Sequence, residues 1–153
     1  MNNSISFYTD YGFINASEEN DNILSIGFGK IKKFKSSKTL EYLKKDINNY
    51  FLGKKINWIF SLTIIGSPIQ KKIWNEVQKI PFGKTQTYGQ IAKKLNTSPR
   101  YVGKVCGQNK HLLVIPCHRV IRSDGQLGGY SGLGGIKLKK NLLNLESVPN
   151  NKC

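Results

Sequence analysis

Cys117 and His118 stand side by side in the run Val114-Ile115-Pro116-Cys117-His118-Arg119-Val120, between an apolar approach and a basic residue. In cysteine chemistry the thiolate is the nucleophile, and nearby positive charge or a base raises its population at neutral pH. Cys117 is therefore the thiol to follow. In an extended chain neighbouring side chains point to opposite sides, so adjacency alone does not pair it with His118. Pro116 favours a bend. A bend, or one bridging water, would let His118 act as base, with a carboxylate fixing the imidazole's orientation. Glu146 is the candidate for that third place. Taken alone, the Cys-His dipeptide favours a buried structural cysteine, and only its wider context reverses that reading.

Three cysteines, Cys106, Cys117 and Cys153, are an odd number at wide spacing, and the only histidines are His111 and His118. Neither a disulfide framework nor a zinc site is supported, and no metal is expected. Cys106 falls on the apolar side of a helical pattern and reads as a core residue.

Two regions must position these groups. Over residues 1–63, β-like runs at Ser4 to Tyr8, Ile23 to Phe28 and Ile56 to Thr63 accompany a helix from about Thr39 to Phe51. In that helix Leu40, Leu43, Ile47, Tyr50 and Phe51 share a face. This part reads as a structural α/β domain. Ile64-Ile65-Gly66-Ser67-Pro68 marks a boundary, where Ser67 and Pro68 suit the cap and first position of a helix. A second domain, residues 67–148, follows. Ile69, Ile73, Trp74, Val77 and Ile80 line its first helix, which Pro81-Phe82-Gly83 stops.

Thr87 to Leu95 then reads as a short helix, Asn96-Thr97-Ser98-Pro99 as a turn and new helix start, and the whole as helix, turn, helix. In the later helix Val102, Val105 and Cys106 form one face. Arg100, Gly103, Lys104 and Gly107 form another, basic and small. Glycines allow close approach to a nucleic acid at a cost of about 1 kcal/mol each in helix stability, or else close packing within the protein.

The chain carries 24 Lys and Arg against 9 Asp and Glu, a net charge of +15 spread along its length. A polyanionic partner is the first expectation, although general residue usage or heat stability can give the same bias. The N-terminal MNNSISFYTDYG has no basic stretch leading into an apolar run, and no window approaches the roughly 18 apolar residues of a membrane span. A cytoplasmic protein without membrane partners is expected, nucleoid-associated if prokaryotic.

The run Ile115-Pro-Cys-His-Arg-Val120, with Tyr130-Ser131-Gly132, Leu142-Leu143 and Glu146 downstream, resembles the methylated-DNA–protein-cysteine methyltransferases, also called O6-alkylguanine-DNA alkyltransferases. The resemblance covers roughly Ser67 to Glu146. It implies an N-terminal ribonuclease H-like α/β domain followed by a helical C-terminal domain with a DNA-binding helix-turn-helix. It also implies a partner, double-stranded DNA containing O6-alkylguanine, met by a monomer whose cooperativity on DNA is left open.

By the same resemblance Cys117 is the alkyl acceptor, His118 its water-mediated base and Glu146 the orienting carboxylate. Asn109 ties the recognition helix to the active-site segment. Tyr88 helps rotate the nucleotide and donates to guanine N3, and Arg100 fills the vacancy in the duplex. Tyr101, Gly103 and Lys104 join it at the DNA. Backbone near Val120 and Ser131, together with Tyr130 and Lys139, forms the substrate pocket. No cofactor is implied, and the thioether product makes the reaction single-turnover.

Two departures bear on the pocket rim: a short turn between Tyr88 and Arg100, and a loop from Tyr130 to Gly135 about two residues longer than usual. No counterpart of the zinc site of some relatives is found. The competing readings are a non-catalytic alkylation-damage sensor, which would lack the acceptor cysteine, a helix-turn-helix regulator with a sensing thiol, and a cysteine hydrolase that turns over repeatedly.

Overall fold

Alternation of buried and open positions builds the first strands. In the computed structural model, which describes residues 2–32, 34–130 and 134–151 and gives 148–151 by backbone alone, β1 (Asn3–Thr9), β2 (Gly12–Glu19) and β3 (Asn22–Phe28) pair antiparallel. The short β4 (Ser61–Leu62) joins β3 in parallel, giving the order β1-β2-β3-β4. Ile5, Phe7, Ile14 and Ala16 are buried at the two-residue period of β1 and β2, whereas Ile23 and Ile26 are three apart because the β2–β3 register shifts by one residue between them. The β2–β3 turn uses Asn20 and Asp21 at φ 52° and 64°, a left-handed conformation these two residue types tolerate.

Against this sheet lies α1 (Lys38–Phe51), capped by Ser37, whose hydroxyl accepts from Leu40 N. Leu40, Leu43, Ile47 and Tyr50 face inward from it. The sequence pattern omits β2, because Gly12, Asn15, Ser17 and the two glutamates dilute its apolar alternation. The pattern also overextends the last strand. Ile56 to Phe60 keep a period-two rhythm of half-buried and exposed positions, but only Ser61 and Leu62 find partners on β3, so the ladder is two residues long.

The chain divides at Ile64: one unit is Met1–Ile64 and the other Ile65–Cys153. In the second, α2 (Pro68–Gln78) opens with a reciprocal capping box between Ser67 and Gln70. It buries Ile73, Trp74 and Val77, and Trp74 Nε1 donates to Val105 O at 3.1 Å. Next come β5 (Gln86–Thr87), α3 (Tyr88–Leu95) and α4 (Pro99–Gly107). Asn96 closes α3 at φ 57°, and Ser98 caps α4 by accepting from Tyr101 N, which sets the turn between them.

A 3-10 turn at Cys117–Arg119 leads into β6 (Val120–Ile121), and α5 (Gly135–Asn151) follows. The ladder pairing Gln86 with Val120 and Thr87 with Ile121 brings the first residue of α3, Tyr88, beside the segment that follows Cys117. Among the described residues no helix is long and apolar enough to cross a membrane.

Candidate active site

Every residue from His111 to Val120 is buried, so the polar backbone of this segment needs partners inside the protein. Asn109, just past α4, supplies several. Its Nδ2 donates to Ile115 O at 2.8 Å and to Cys117 Sγ at 3.2 Å, while Oδ1 accepts from His111 N at 2.8 Å. One amide thus fixes the end of the helix, the loop and the thiol. After Pro116 the backbone tightens, with Cys117 N donating to Ile115 O and Arg119 N to Pro116 O.

His118 Nε2 lies 2.5 Å from Glu146 Oε2. Arg119 holds the same carboxylate from a second side, with Nε 2.8 Å from Oε1 and Nη2 3.0 Å from Oε2, and its Nη1 donates to Ile80 O at 2.7 Å. Gly83 N also donates to Glu146 Oε1, at 3.3 Å. Burial pushes the Glu146 pKa upward, but the hydrogen bonds and charges of His118 and Arg119 outweigh it and bring the group down to about 2. For His118 burial lowers the pKa against the opposing pull of Glu146. The pair at neutral pH is a carboxylate and a neutral imidazole. Nε2–H then donates to Glu146 and the lone pair resides on Nδ1.

The thiol behaves otherwise than neighbouring charge predicts. Burial drives the Cys117 pKa up to about 11, and the Asn109 hydrogen bond and the Lys139 charge recover only part of that shift. The basic environment does not make Cys117 a resting thiolate, because desolvation of a side chain only 3% exposed is the larger effect.

Cys117 opens on a cavity of about 550 Å³ lined also by Tyr88, Cys106, Arg122 and Tyr130, with Gly103, Gly107, Gly128 and Gly129 contributing bare backbone. Cys106 is buried in α4 as a core residue would be, yet it also faces this cavity. The Tyr130 hydroxyl is buried there without a hydrogen-bond partner among the described residues. Lys139, a residue type usually found at the surface, is fully buried. Its ammonium donates to Val120 O at 2.7 Å, to Leu127 O, to Gly129 O at 3.2 Å and to the Tyr88 hydroxyl at 3.2 Å.

Burial lowers the Lys139 pKa to about 8, an effect the nearby thiols oppose. Burial, with the charges that Cys106 and Cys117 would carry, raises the Tyr88 pKa to about 12. The Tyr88 oxygen accepts from Lys139, so its own proton can point elsewhere. Val120 N–H is engaged by Cys117 O, and its carbonyl, with two lone pairs, takes Lys139. Leu138, Lys139, Leu142 and Glu146 occupy one buried side of α5, with Lys139 and Glu146 two turns apart.

On α4, Val102, Val105 and Cys106 are buried, Arg100, Lys104 and Gly107 are exposed, and Tyr101 and Gly103 are half-buried. A Cβ on Gly103 would sit 3.8 Å from the Tyr88 ring, an ordinary contact, and one on Gly107 would meet nothing within 4 Å. Internal packing therefore requires glycine at neither position. Ser131 and Cys153 lie outside the described residues. The sequence marks Arg119 only as the basic residue of the motif, with no role assigned, and does not single out Arg122. The signal available for Arg119 was its place beside His118, which puts a cation within reach of the same carboxylate.

Together the fold and the site define a class: a helix-turn-helix domain whose later helix and following turn enclose a buried cysteine, held by an asparagine and adjoined by a His-Glu-Arg cluster. The family model described as "6-O-methylguanine DNA methyltransferase, DNA binding domain" matches residues 68–148. A methylated-DNA–protein-cysteine methyltransferase of Saccharolobus solfataricus is 49% identical over 113 residues, 74% of this chain and 72% of that protein. Its counterpart in Sulfolobus acidocaldarius is 46% identical over 101 residues, 66% of this chain and 63% of that one.

The crystal structure of Mycobacterium tuberculosis OGT in complex with DNA superposes with a TM-score of 0.85 at 27% identity, covering 95% of this chain and 92% of that one. An O6-methylguanine DNA methyltransferase from Methanococcus jannaschii gives 0.67 at 31% identity, over 93% and 92%. The chain belongs to the methylated-DNA–protein-cysteine methyltransferase family.

Proposed function

We propose that this chain repairs DNA by rotating O6-alkylguanine out of the duplex and taking the alkyl group irreversibly onto Cys117. The observation that carries this reading is a buried thiol at the edge of a cavity, 3.2 Å from the Asn109 amide, with His118 and Arg119 of the same segment clustered on Glu146 of α5. The target oxygen lies within the base stack, so the nucleotide must leave it, costing a few kcal/mol. Arg100 fills the gap. Phosphate contacts from the basic chain, Lys104 among them, offset that cost without reading sequence. Gly103 and Gly107, which packing does not demand, let α4 approach a minor groove beside Tyr101.

Through a bridging water, the Cys117 proton passes to the lone pair of His118, and the resulting imidazolium is stabilised by Glu146, which Arg119 keeps ionised. Sulfur attacks the alkyl carbon as the carbon–O6 bond breaks, and the electron pair goes to guanine. Tyr88 delivers a proton to guanine N3, and the Lys139 ammonium steadies the phenol oxygen it leaves. The guanine is held by backbone at Val120 and Ser131 and by Tyr130, whose buried hydroxyl has hydrogen-bonding capacity to offer. The thioether has no good leaving group, so each molecule acts once.

The region over residues 1–63 is a structural domain in this reading and residues 67–148 carry the chemistry. Three antiparallel strands followed by a helix and a short parallel strand support a ribonuclease H-like description of the former. The protein works as a monomer in the cytoplasm, on the nucleoid in a prokaryote. The test uses duplex DNA bearing a labelled O6-methylguanine. Label should move to wild-type protein once per molecule, whereas Cys117→Ala should still prefer lesion-bearing duplex but take no label. Label reaching Cys117→Ala would refute the assignment.

A further inference from the structure

A second groove opens beside the cavity that holds Cys117, bounded by Arg100, Arg122, Asp124 and Tyr88. Tyr88 and Arg122 line both concavities, so these two side chains form the wall between them. Arg122 stands at the base of a tight turn in which its N–H donates to Gln126 O at 2.8 Å and its carbonyl accepts from Gly125 N at 3.0 Å. Its stem passes over Gly128. A Cβ on Gly128 would lie 3.5 Å from Arg122 Cγ and 3.0 Å from the Tyr88 hydroxyl, and φ there is +75°, so a side chain would disturb both members of the wall.

The guanidinium end is more than half exposed, with Nη2 3.2 Å from Asp124 Oδ2. Asp124 is itself held, since its Oδ1 accepts from Gln126 N at 3.0 Å. An exposed ion pair of this kind contributes little, so a better anion can replace Asp124 at small cost. Two guanidinium groups, Arg100 and Arg122, therefore border one groove that adjoins the reactive cavity.

A nucleotide rotated towards Cys117 stays covalently joined to its strand, so its flanking phosphates must come to rest near the cavity's rim. Arginine's planar fork suits a phosphodiester better than a carboxylate already held by its own turn. We infer that Arg122 is a phosphate-gripping residue: on DNA binding its guanidinium leaves Asp124 for a phosphodiester oxygen flanking the rotated nucleotide, across the groove from Arg100. The grip holds the strand over the Tyr88–Arg122 wall while the base lies beside the thiol. This rests on the proposed repair reaction and adds a residue to it.

The test compares single-turnover alkyl transfer from O6-methylguanine in a duplex with transfer from free O6-benzylguanine, which has no phosphate to grip, in wild type, Arg122→Ala and Asp124→Asn. Arg122→Ala should lower the ratio of duplex to free-base rates about tenfold and reduce the slope of log affinity against log salt by about 1. Asp124→Asn, which releases the guanidinium, should tighten duplex binding about two- to fivefold. If Arg122→Ala slows both reactions equally or leaves the ratio unchanged, the grip is overturned while the repair reaction stands. If wild-type protein accepts the alkyl group from neither substrate, the repair reading fails and the grip falls with it.

Discussion

The two units bury different things. Among the described residues of Met1–Ile64, the buried polar side chains are Thr9 and Glu18, each tied to neighbouring strands or turns: Thr9 to Gly12 and Tyr11, and Glu18 to Asn3 and Asp21. In the second unit Glu76, Asn109, His111, His118, Arg119, Lys139 and Glu146 are all buried. Burying charge is costly unless it is paired, and an apolar replacement of the same volume is often as stable or more so. A sheet and helix need no such cluster to fold. Apart from Glu76, which pairs with Lys79 and Lys94, these groups belong to the segments around Cys117 and Glu146, which fits a site selected for chemistry at the expense of stability.

Breaking the cluster should have the largest effect. Glu146→Gln removes the charge that Arg119 and His118 share, and should slow transfer from duplex DNA about 10²–10⁴-fold in single-turnover assays. In denaturant melts it should also cost about 3–5 kcal/mol, because Arg119 is left buried without its ion-pair partner. Leu43→Ala in α1 should cost a similar 2–5 kcal/mol through lost packing. Its folded fraction should transfer at the wild-type rate, and a large drop in that rate would erase the contrast between the units.

Acid should act on the same division. Glu146 titrates at about 2 in the fold against an ordinary 4.5, so its stabilisation is full above about pH 4.5 and is lost as the pH falls towards about 2. His118 adds to the trend, since its folded-state pKa is depressed and the unfolded imidazole takes up a proton first as the pH falls below about 6.5. Melting temperature should therefore fall more steeply with acid in wild type than in Glu146→Gln, and parallel curves would deny the carboxylate this role.

The smallest effect is expected on the surface of α4. Gly103→Ala has room for its methyl group beside Tyr88 and should raise stability by up to about 1 kcal/mol, read from thermal melts. It should weaken duplex binding in a titration, and unchanged binding would remove Gly103 from the DNA face.

Much of the frame was legible because local chemistry and tertiary packing agree. Ser67-Pro68 and Ser98-Pro99 open helices as their types suggest, and the apolar faces of α1, α2 and α4 are the buried ones. Strand β2 was not legible, since its inward positions include Ala16 and Glu18 beside Ile14, and Gly12, Asn15 and Ser17 are residue types common in turns. The sequence also brought Asn109, Cys117, His118 and Glu146 to attention, and the fold draws them into one neighbourhood through long-range contacts. It could not show that burial would override charge at the Cys117 thiol. Lys139 stood out only through the family resemblance, and nothing marked it or Arg119 as buried among the many lysines and arginines, because charge type alone carries no burial signal.

The most direct test is the intact mass of the protein, with peptide mapping, after incubation with duplex DNA carrying one O6-methylguanine. A gain of one methyl group, confined to Cys117 and reaching one per protein, is the predicted result. Unmodified protein, or a methyl group placed on Cys106 instead, would contradict it.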